Sequence, residues 1–101
     1  MAVQDVYRAL SDPVRRKILK LLQDGPLPAG VIAAEFEISW PSVSRHLGVL
    51  TNAGLVRHER NGQQVIYALT TSVLVDIVTE LAELTRVGGN AAEQSEQERT
   101  K

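Results

Sequence analysis

The chain contains no cysteine among its 101 residues. This absence excludes disulfide bonds, thiolate metal sites and redox sensing by a thiol, and it fits a protein of the reducing cytoplasm. Aromatic side chains are also scarce, because one Trp, two Tyr and one Phe make up only 4% of the residues. The core is therefore expected to be aliphatic, built from Leu, Val, Ile and Ala.

Long apolar runs are absent as well. No stretch approaches the ~18 apolar residues that span a bilayer, and the N-terminus lacks the basic start and apolar segment of a secretory signal. The length of 101 residues suits one domain with a small core, and such a domain gains stability by burying more surface in a dimer. We expect a cytoplasmic protein that does not insert into a membrane.

The charge is low in total but unevenly distributed. The formal net charge of −1 argues by itself against nucleic-acid binding, yet residues 39–69 hold three arginines against one glutamate, a local balance of +2. A second basic cluster consists of Arg15, Arg16, Lys17 and Lys20. Both clusters can share one face. For the second, the alternatives are a solvated helix face or an intramolecular ion pair of Arg15 or Arg16.

Two short helices are predicted at the start of the chain. Apolar residues at 3, 6, 7 and 10 follow helical spacing. After a break at Ser11, Asp12 is a good N-cap and Pro13 suits the first helical position. The second helix has an apolar stripe at 14, 18, 21 and 22, and Asp-Gly-Pro at 24–26 ends it.

The next two helices form a predicted helix-turn-helix. The first of them runs from about 28 to 35 and buries three apolar side chains: Val31, Ile32 and Phe36. The second is capped by Ser39, carries Pro41 in its first turn and ends near Gly54. Apolar residues at 43, 47 and 50 give it one buried stripe.

The hydrophobic period then changes from that of a helix to that of a strand. Two strands are predicted over 55–60 and 63–69, because Asn61-Gly62 between extended segments is a strong hairpin signal. A last helix starts at 70, 71 or 72 and ends at Gly88-Gly89. Its stripe comprises Leu74, Ile77, Val78, Leu81, Leu84 and Thr85.

The predicted fold is mainly α with a small β-hairpin, a winged helix-turn-helix of order α-α-α-α-β-β-α. Residues 1–87 are predicted to form one DNA-binding and dimerisation domain. Residues 88–101 are predicted to be a disordered polar tail, because they lack apolar periodicity.

Three segments resemble, in order and spacing, the ArsR family of winged-helix repressors. They are LSDPVRRKIL at 10–19, ISWPSVSRHL at 38–47 with its exit AGLV at 53–56, and RNGQQVIYAL at 60–69. The resemblance covers roughly residues 3–87. It implies a homodimer that pairs through the first and last helices. Each subunit would then insert its fourth helix into the major groove of a palindromic operator in double-stranded DNA.

The sequence departs from this family at the metal-responsive sites. The third helix holds no cysteine where the family carries its metal motif, and the last helix holds no histidine. Asp76, Glu80 and Glu83 could bind a hard cation, but without His or Cys they are more typical of a solvated helix face. No metal site and no cofactor are predicted, and the chain resembles the metal-independent, SdpR-like branch. The inducer, an unknown protein or small molecule, is left open.

The fourth helix carries the predicted base-reading residues. Ser42, Ser44 and Arg45 lie off its buried stripe, near the end that enters the groove first. Arg45 can donate two hydrogen bonds to guanine O6 and N7; the alternative is a solvated charge. His46 either donates to DNA, which the family pattern favours, or packs at the border of helix and wing. Trp40 either lies on the sugar-phosphate backbone or covers the helix start.

The tip of the wing supplies the remaining predicted contacts. Arg60, Asn61 and Gln63 are expected to approach the minor groove or flanking phosphates. Many members of the family carry a second cation where this chain has Gln63, so we expect a weaker electrostatic grip. Arg57 and Arg60 are the phosphate candidates, against the alternative of exposed strand charges.

These features predict a sequence-specific DNA-binding regulator, a homodimeric repressor. A winged-helix module for protein–protein interaction is the alternative, and the local basic charge favours DNA over it. A repressor that responds to an unidentified ligand is the alternative within the family. An enzyme is not expected, because the chain has no catalytic triad order, phosphate-binding glycine loop or metal-hydrolase spacing.

Overall fold

The computed structural model describes residues 2–86. The predicted polar tail lies outside the described residues. The last helix ends at Leu84, with Thr85 as its C-cap, and so before the predicted end at Gly88-Gly89. The elements are α1 Val3–Leu10, α2 Pro13–Leu21 with a 3-10 turn Leu22–Asp24, β1 Leu27–Pro28, α3 Ala29–Ala33, α4 Trp40–Asn52, β2 Val56–Asn61, β3 Gln64–Leu69 and α5 Thr71–Leu84. This order confirms the predicted fold class.

The corner between α1 and α2 is held by the N-cap and by arginine. Asp12 Oδ1 accepts hydrogen bonds from the N–H groups of Val14 and Arg15, at 2.8 and 3.3 Å. Arg15 donates to the carbonyls of Ala9 and Arg8 at 2.8 and 2.9 Å, and Arg16 donates to that of Leu10 at 2.7 Å. The alternative of an ion pair by Arg15 or Arg16 is therefore not realised within residues 2–86, because both guanidinium groups donate to carbonyl oxygens at the end of α1.

The Asp12 cap makes the stability of the protein depend on pH. Desolvation favours a higher pKa for this carboxyl, but the two N–H bonds and the positive charge of Arg15 outweigh it. The pKa is therefore below its ordinary value of 3.8. A lowered pKa in the folded state stabilises the fold above pH 3.8, and this stabilisation is lost as the pH falls from there through the folded value.

We expect Asp12→Ala to lower the free energy of unfolding by about 1 kcal/mol at neutral pH, since a helix loses its N-cap. The difference from the wild type should shrink as the pH falls below 3.8. Urea unfolding over a pH series measures it. Asp24→Ala, which removes an exposed carboxylate that caps no helix, is the control. A difference that persisted unchanged in acid would contradict the role of the charge.

The sheet has three strands in the order β1-β3-β2, rather than the two predicted. Leu27 pairs with Tyr67 and Pro28 pairs with Ile66, both antiparallel. A two-residue edge strand shows no alternation, and Pro is tolerated at an edge, so the sequence carries no signal for it.

The first helix of the predicted helix-turn-helix is shorter than predicted. It spans Ala29–Ala33, because Leu27 and Pro28 are taken up by the sheet. Ile32 is fully buried and Phe36 half-buried, as predicted, but Val31 is 48% exposed. A helix of little more than one turn directs few side chains inward, which explains the wrong prediction for Val31.

The hairpin turn is shifted by one residue from the predicted Asn61-Gly62. Asn61 pairs with Gln64, so the two loop residues are Gly62 and Gln63. Gly62 has φ +66°, whereas no non-glycine residue in the described part of the chain has a positive φ. Glycine with positive φ at the first loop position alone matches a type II′ turn, not the type I′ turn that Asn-Gly favours.

The core is aliphatic, as predicted. Its largest fully buried side chains are Val6, Ile18, Ile32, Val43, Leu47, Leu50 and Leu55. These side chains belong to α1, α2, α3 and α4 and to the segment just after α4. Helix α4 therefore packs against α1 and α2 through one face only. Its other face is left outside the core.

The predicted stripe of α5 is divided between two environments. Ile77 is buried and Leu74 half-buried against the core. The large apolar side chains of α5 that remain exposed, here called the α5 apolar surface, are Val75 (60%), Val78 (64%), Leu81 (45%) and Leu84 (74%). None of the helices between residues 2 and 86 has the length and apolar character needed to cross a bilayer.

Candidate nucleic-acid interface

The N-terminus of α4 is built by two serines and a proline. The Ser39 hydroxyl oxygen accepts from the Ser42 N–H at 3.3 Å, and its O–H donates to Ser42 Oγ at 3.0 Å. Pro41 lies in the first turn, where it costs no helical hydrogen bond. These contacts confirm the predicted cap. They hold Ser42, which is half-buried, while its own O–H can still donate outward.

The outward face of α4 is set by its buried face. Val43, Leu47 and Leu50 are at most 1% exposed, so the opposite side of the helix points to solvent. Ser44 and Arg45 lie on this exposed side. Among residues 2–86, Arg45 has neither an ion pair nor a hydrogen bond through its side chain. Its five N–H donors are therefore available to a ligand.

Gly48 lies on the same outward face, one turn after Ser44 and Arg45. It is exposed, and a Cβ added there would meet no heavy atom within 4 Å. Because Gly48 is inside the 13-residue helix, it costs the helix roughly 0.5–1 kcal/mol relative to alanine. Sequence patterns alone do not mark Gly48 as a functional residue, although a glycine at an outward helical position is visible in the sequence.

His46 lies inside the protein rather than on the outward face. It is 9% exposed, and its Nδ1 is 3.1 Å from Nη1 of Arg15. A guanidinium only donates, so Nδ1 accepts this bond and the ring proton is on Nε2. This position matches the alternative in which His46 packs inside the protein, although its neighbour is α2 and not the wing. A side chain with so little exposed surface is not among the proposed DNA contacts.

Trp40 is the first residue of α4 and is 53% exposed. It lines an open groove together with Val31 of α3 and with Gln63 and Gln64 at the tip of the wing. An indole with half its surface in solvent is accessible to a ligand at this groove. The groove therefore joins the start of α4 to the wing.

The wing displays its cations on two different faces. Arg57 pairs with Ala68, and Arg60 pairs with Val65. The positions 57 and 60 differ by an odd number, so their side chains leave opposite faces of the hairpin. Arg57 Nη1 donates to the Leu69 carbonyl at 3.0 Å, which partly engages that guanidinium. Arg60 is exposed near the tip, with Asn61 and Gln63.

The basic cluster of α2 is mostly engaged in holding the fold. Beyond the contacts of Arg15 and Arg16 with α1, Lys17 Nζ donates to the Glu35 carbonyl at 3.4 Å and lies 5.1 Å from the centre of the Phe36 ring. Lys20 is exposed. No local sequence pattern shows which of these cations are engaged in the fold, because their acceptors are backbone carbonyls of other elements.

Two of the three acidic residues of α5, Glu80 and Glu83, have protein partners. The Tyr7 hydroxyl donates to Glu80 Oε1 at 3.2 Å, and Glu83 Oε2 is 2.6 Å from Arg86 Nη2. Desolvation, and then the negative charge of Glu80 and this hydrogen bond, raise the pKa of Tyr7. Over residues 2–86, no group of three His, Cys, Asp or Glu side chains is arranged to hold a metal ion.

The arrangement defines a class of protein. A helix-turn-helix made by α3 and α4, followed by the β2–β3 hairpin, is the architecture of winged helix-turn-helix DNA-binding proteins. A profile described as a helix-turn-helix domain matches residues 10–59. The chain is 43% identical over 88 residues to the transcriptional repressor SdpR of Bacillus subtilis, covering 87% of this chain and 98% of that protein.

Solved structures agree with the sequence comparison. The crystal structure of an ArsR family transcriptional regulator superposes with a TM-score of 0.78 at 28% identity, covering 81% of this chain and 90% of the other. The solution structure of a homodimeric winged helix-turn-helix DNA-binding domain from Mycobacterium bovis, a possible ArsR-family regulator, gives 0.67 at 30% identity, covering 80% and 78%. The chain belongs to the ArsR family of helix-turn-helix transcriptional repressors. Family and fold are those of regulators, not of enzymes.

Proposed function

We propose that the protein is a homodimeric repressor that reads a palindromic operator through α4. The observation that carries the proposal is the free guanidinium of Arg45 on the outward face of a helix whose other face is fixed in the core. Ser42 and Ser44 are the supporting contacts. Their short hydroxyl side chains can donate to bases or phosphates.

The wing and the start of α4 supply the proposed backbone contacts. Trp40 would lie against the sugar-phosphate backbone, and the wing residues would reach phosphates or the minor groove. The proposed wing contacts are Arg57, Arg60, Asn61 and Gln63. Because Arg57 and Arg60 leave opposite faces of the hairpin, they would serve different phosphates. Binding should weaken steeply with salt, because each phosphate contact releases counterions.

The proposed dimer pairs through α1 and α5. The α5 apolar surface supports this interface, since side chains exposed in one subunit would be buried between two. The related Mycobacterium bovis domain is described as homodimeric. A two-fold dimer presents two reading helices, and these fit half-sites about one helical turn, or a multiple of it, apart.

The proposed site of action is the cytoplasm, because the SdpR relative comes from a bacterium, in which operators lie in the cytoplasm. The described residues offer no clustered metal ligands, so we propose release by a signal other than a metal. That signal is an unidentified protein or small molecule.

The test of Arg45 begins with selection of bound sequences from a random DNA pool by the wild type. Against the selected operator, we expect Arg45→Ala to lose about 1–3 kcal/mol of binding free energy and to relax specificity at one position of each half-site. Arg60→Ala is the matched comparison. It should weaken binding to all sequences alike and lower the salt slope by about 1. Native affinity and sequence preference in Arg45→Ala would contradict the proposed reading of bases.

A further inference from the structure

Gly48 is not required by the packing or by the backbone of the described residues. A Cβ built at this position has open space within 4 Å, and its φ is not among the positive glycine values, which belong to Gly25, Gly54 and Gly62. A glycine in the interior of a helix destabilises it, because the unfolded chain has more freedom to lose. Nothing within residues 2–86 therefore compensates for the loss of helix stability at Gly48.

The position of Gly48 on α4 indicates that the benefit of a missing side chain lies in contact with a ligand. It is four residues after Ser44 and three after Arg45, so the three residues are neighbours on the outward surface of α4. Positions 43, 47 and 50 are buried, and Gly48 lies well away from their stripe on the exposed side. Arg45 points away from the same stripe, so the helix surface directly beside Arg45 has no side chain, and glycine permits a close approach of backbone to a ligand.

We propose that Gly48 is the point at which α4 comes closest to operator DNA, and that the missing side chain lets the helix sit deep enough for Arg45 to reach base edges. This inference rests on the proposed function. Gly48 is a positioning residue, since it acts through Arg45. Hydrogen bonds to bases weaken steeply beyond about 3.2 Å, whereas attraction to phosphates decays over about 8 Å at physiological salt. A methyl group at Gly48 would therefore reduce specific binding far more than non-specific binding.

The experiment compares Gly48→Ala with Thr79→Ala, each in the full chain. Thr79→Ala is the control, because position 79 is exposed in the interior of a different helix, α5, where alanine also raises the helix propensity. Three quantities are measured: affinity for the operator selected by the wild type, affinity for unrelated DNA, and the urea midpoint. For Gly48→Ala we expect operator binding weaker by about tenfold or more, roughly the loss of one base contact. Unrelated DNA should bind within about twofold of the wild type, because phosphate contacts dominate there, and the urea midpoint should rise. Thr79→Ala should keep operator affinity.

The outcomes distinguish a failure of the inference about Gly48 from a failure of the proposed reading by Arg45. If Gly48→Ala binds the operator as the wild type does while Arg45→Ala loses affinity, the close approach at Gly48 is wrong and the reading by Arg45 remains. A lower urea midpoint for Gly48→Ala would also overturn the inference, because the fold itself would then require the glycine. Equal losses in Thr79→Ala and Gly48→Ala would do the same.

Discussion

Val78→Asp is expected to convert the protein from a dimer into a folded monomer. Val78 is 64% exposed within one subunit, near the middle of the α5 apolar surface. A two-fold interface would bury the new carboxylate twice, and an uncompensated buried charge costs several kcal/mol. A total of about 4 kcal/mol raises the dimer dissociation constant roughly a thousandfold. Sedimentation or light scattering over a concentration series measures the change.

The same substitution should weaken operator binding. A monomer engages one half-site, and linking two half-sites contributes about 10²–10⁴ in affinity. Thr79→Asp is the matched control, since it adds the same charge one residue further on, at an exposed polar position of α5. It should remain dimeric and bind DNA as the wild type does. A dimeric Val78→Asp variant with native operator affinity would refute the proposed interface.

Arg15→Ala is expected to lower the free energy of unfolding by about 2–4 kcal/mol, because charge-assisted hydrogen bonds contribute about 1.5–3 kcal/mol each and their buried acceptors would be left unpaired. The Arg8 carbonyl keeps a partner, since Ser11 Oγ also donates to it at 2.6 Å. The Ala9 carbonyl and His46 Nδ1 lose the Arg15 bond. Urea unfolding measures the loss.

Two further variants give this prediction its controls. Arg16→Ala removes one exposed contact, to the Leu10 carbonyl, and should cost less than about 1 kcal/mol. Arg15→Lys should recover only part of the stability, because an ammonium lacks the planar fork that reaches several acceptors at once. Equal destabilisation by Arg15→Ala and Arg16→Ala would show that the contact with His46 contributes nothing.

Arg15→Ala should also affect DNA binding, since His46 is part of the reading helix. Its contact with Arg15 joins α4 to α2 and to the end of α1. Loss of this contact would loosen the orientation of α4 in a protein that remains folded. We expect the variant to bind the operator more weakly than the wild type. The affinity is measured under conditions in which circular dichroism shows that the variant is folded.

Helix α4 shows which features of the site can be predicted from local sequence patterns. The Ser39 cap and the buried stripe at 43, 47 and 50 are predictable because each depends on residues within a few turns of one another. The outward position of Arg45 follows from that stripe. Whether its guanidinium has a partner depends on the rest of the fold, and so does the open space around Gly48.

The predictions that needed correction depend on how the elements pair and pack in the fold. His46 is at a position that periodicity alone leaves between buried and exposed, and the arrival of Arg15 from α2 decides its environment. Val31 is exposed because α3 is little more than one turn long. The turn moves to Gly62-Gln63 because the pairing of Asn61 with Gln64 sets the register of the hairpin.

The sequence by itself determines the order of the elements, the caps at Asp12 and Ser39, the aliphatic core and the family resemblance, because caps, periods and turn residues act over short separations. Only the tertiary structure decides the addition of β1, the use of Arg15, Arg16 and Lys17 as anchors, and the exposure of the α5 apolar surface. The physical reason is that burial and hydrogen-bond partners are properties of pairs of elements. A stripe in the sequence shows that a face is apolar, but not whether this chain or a second copy covers it.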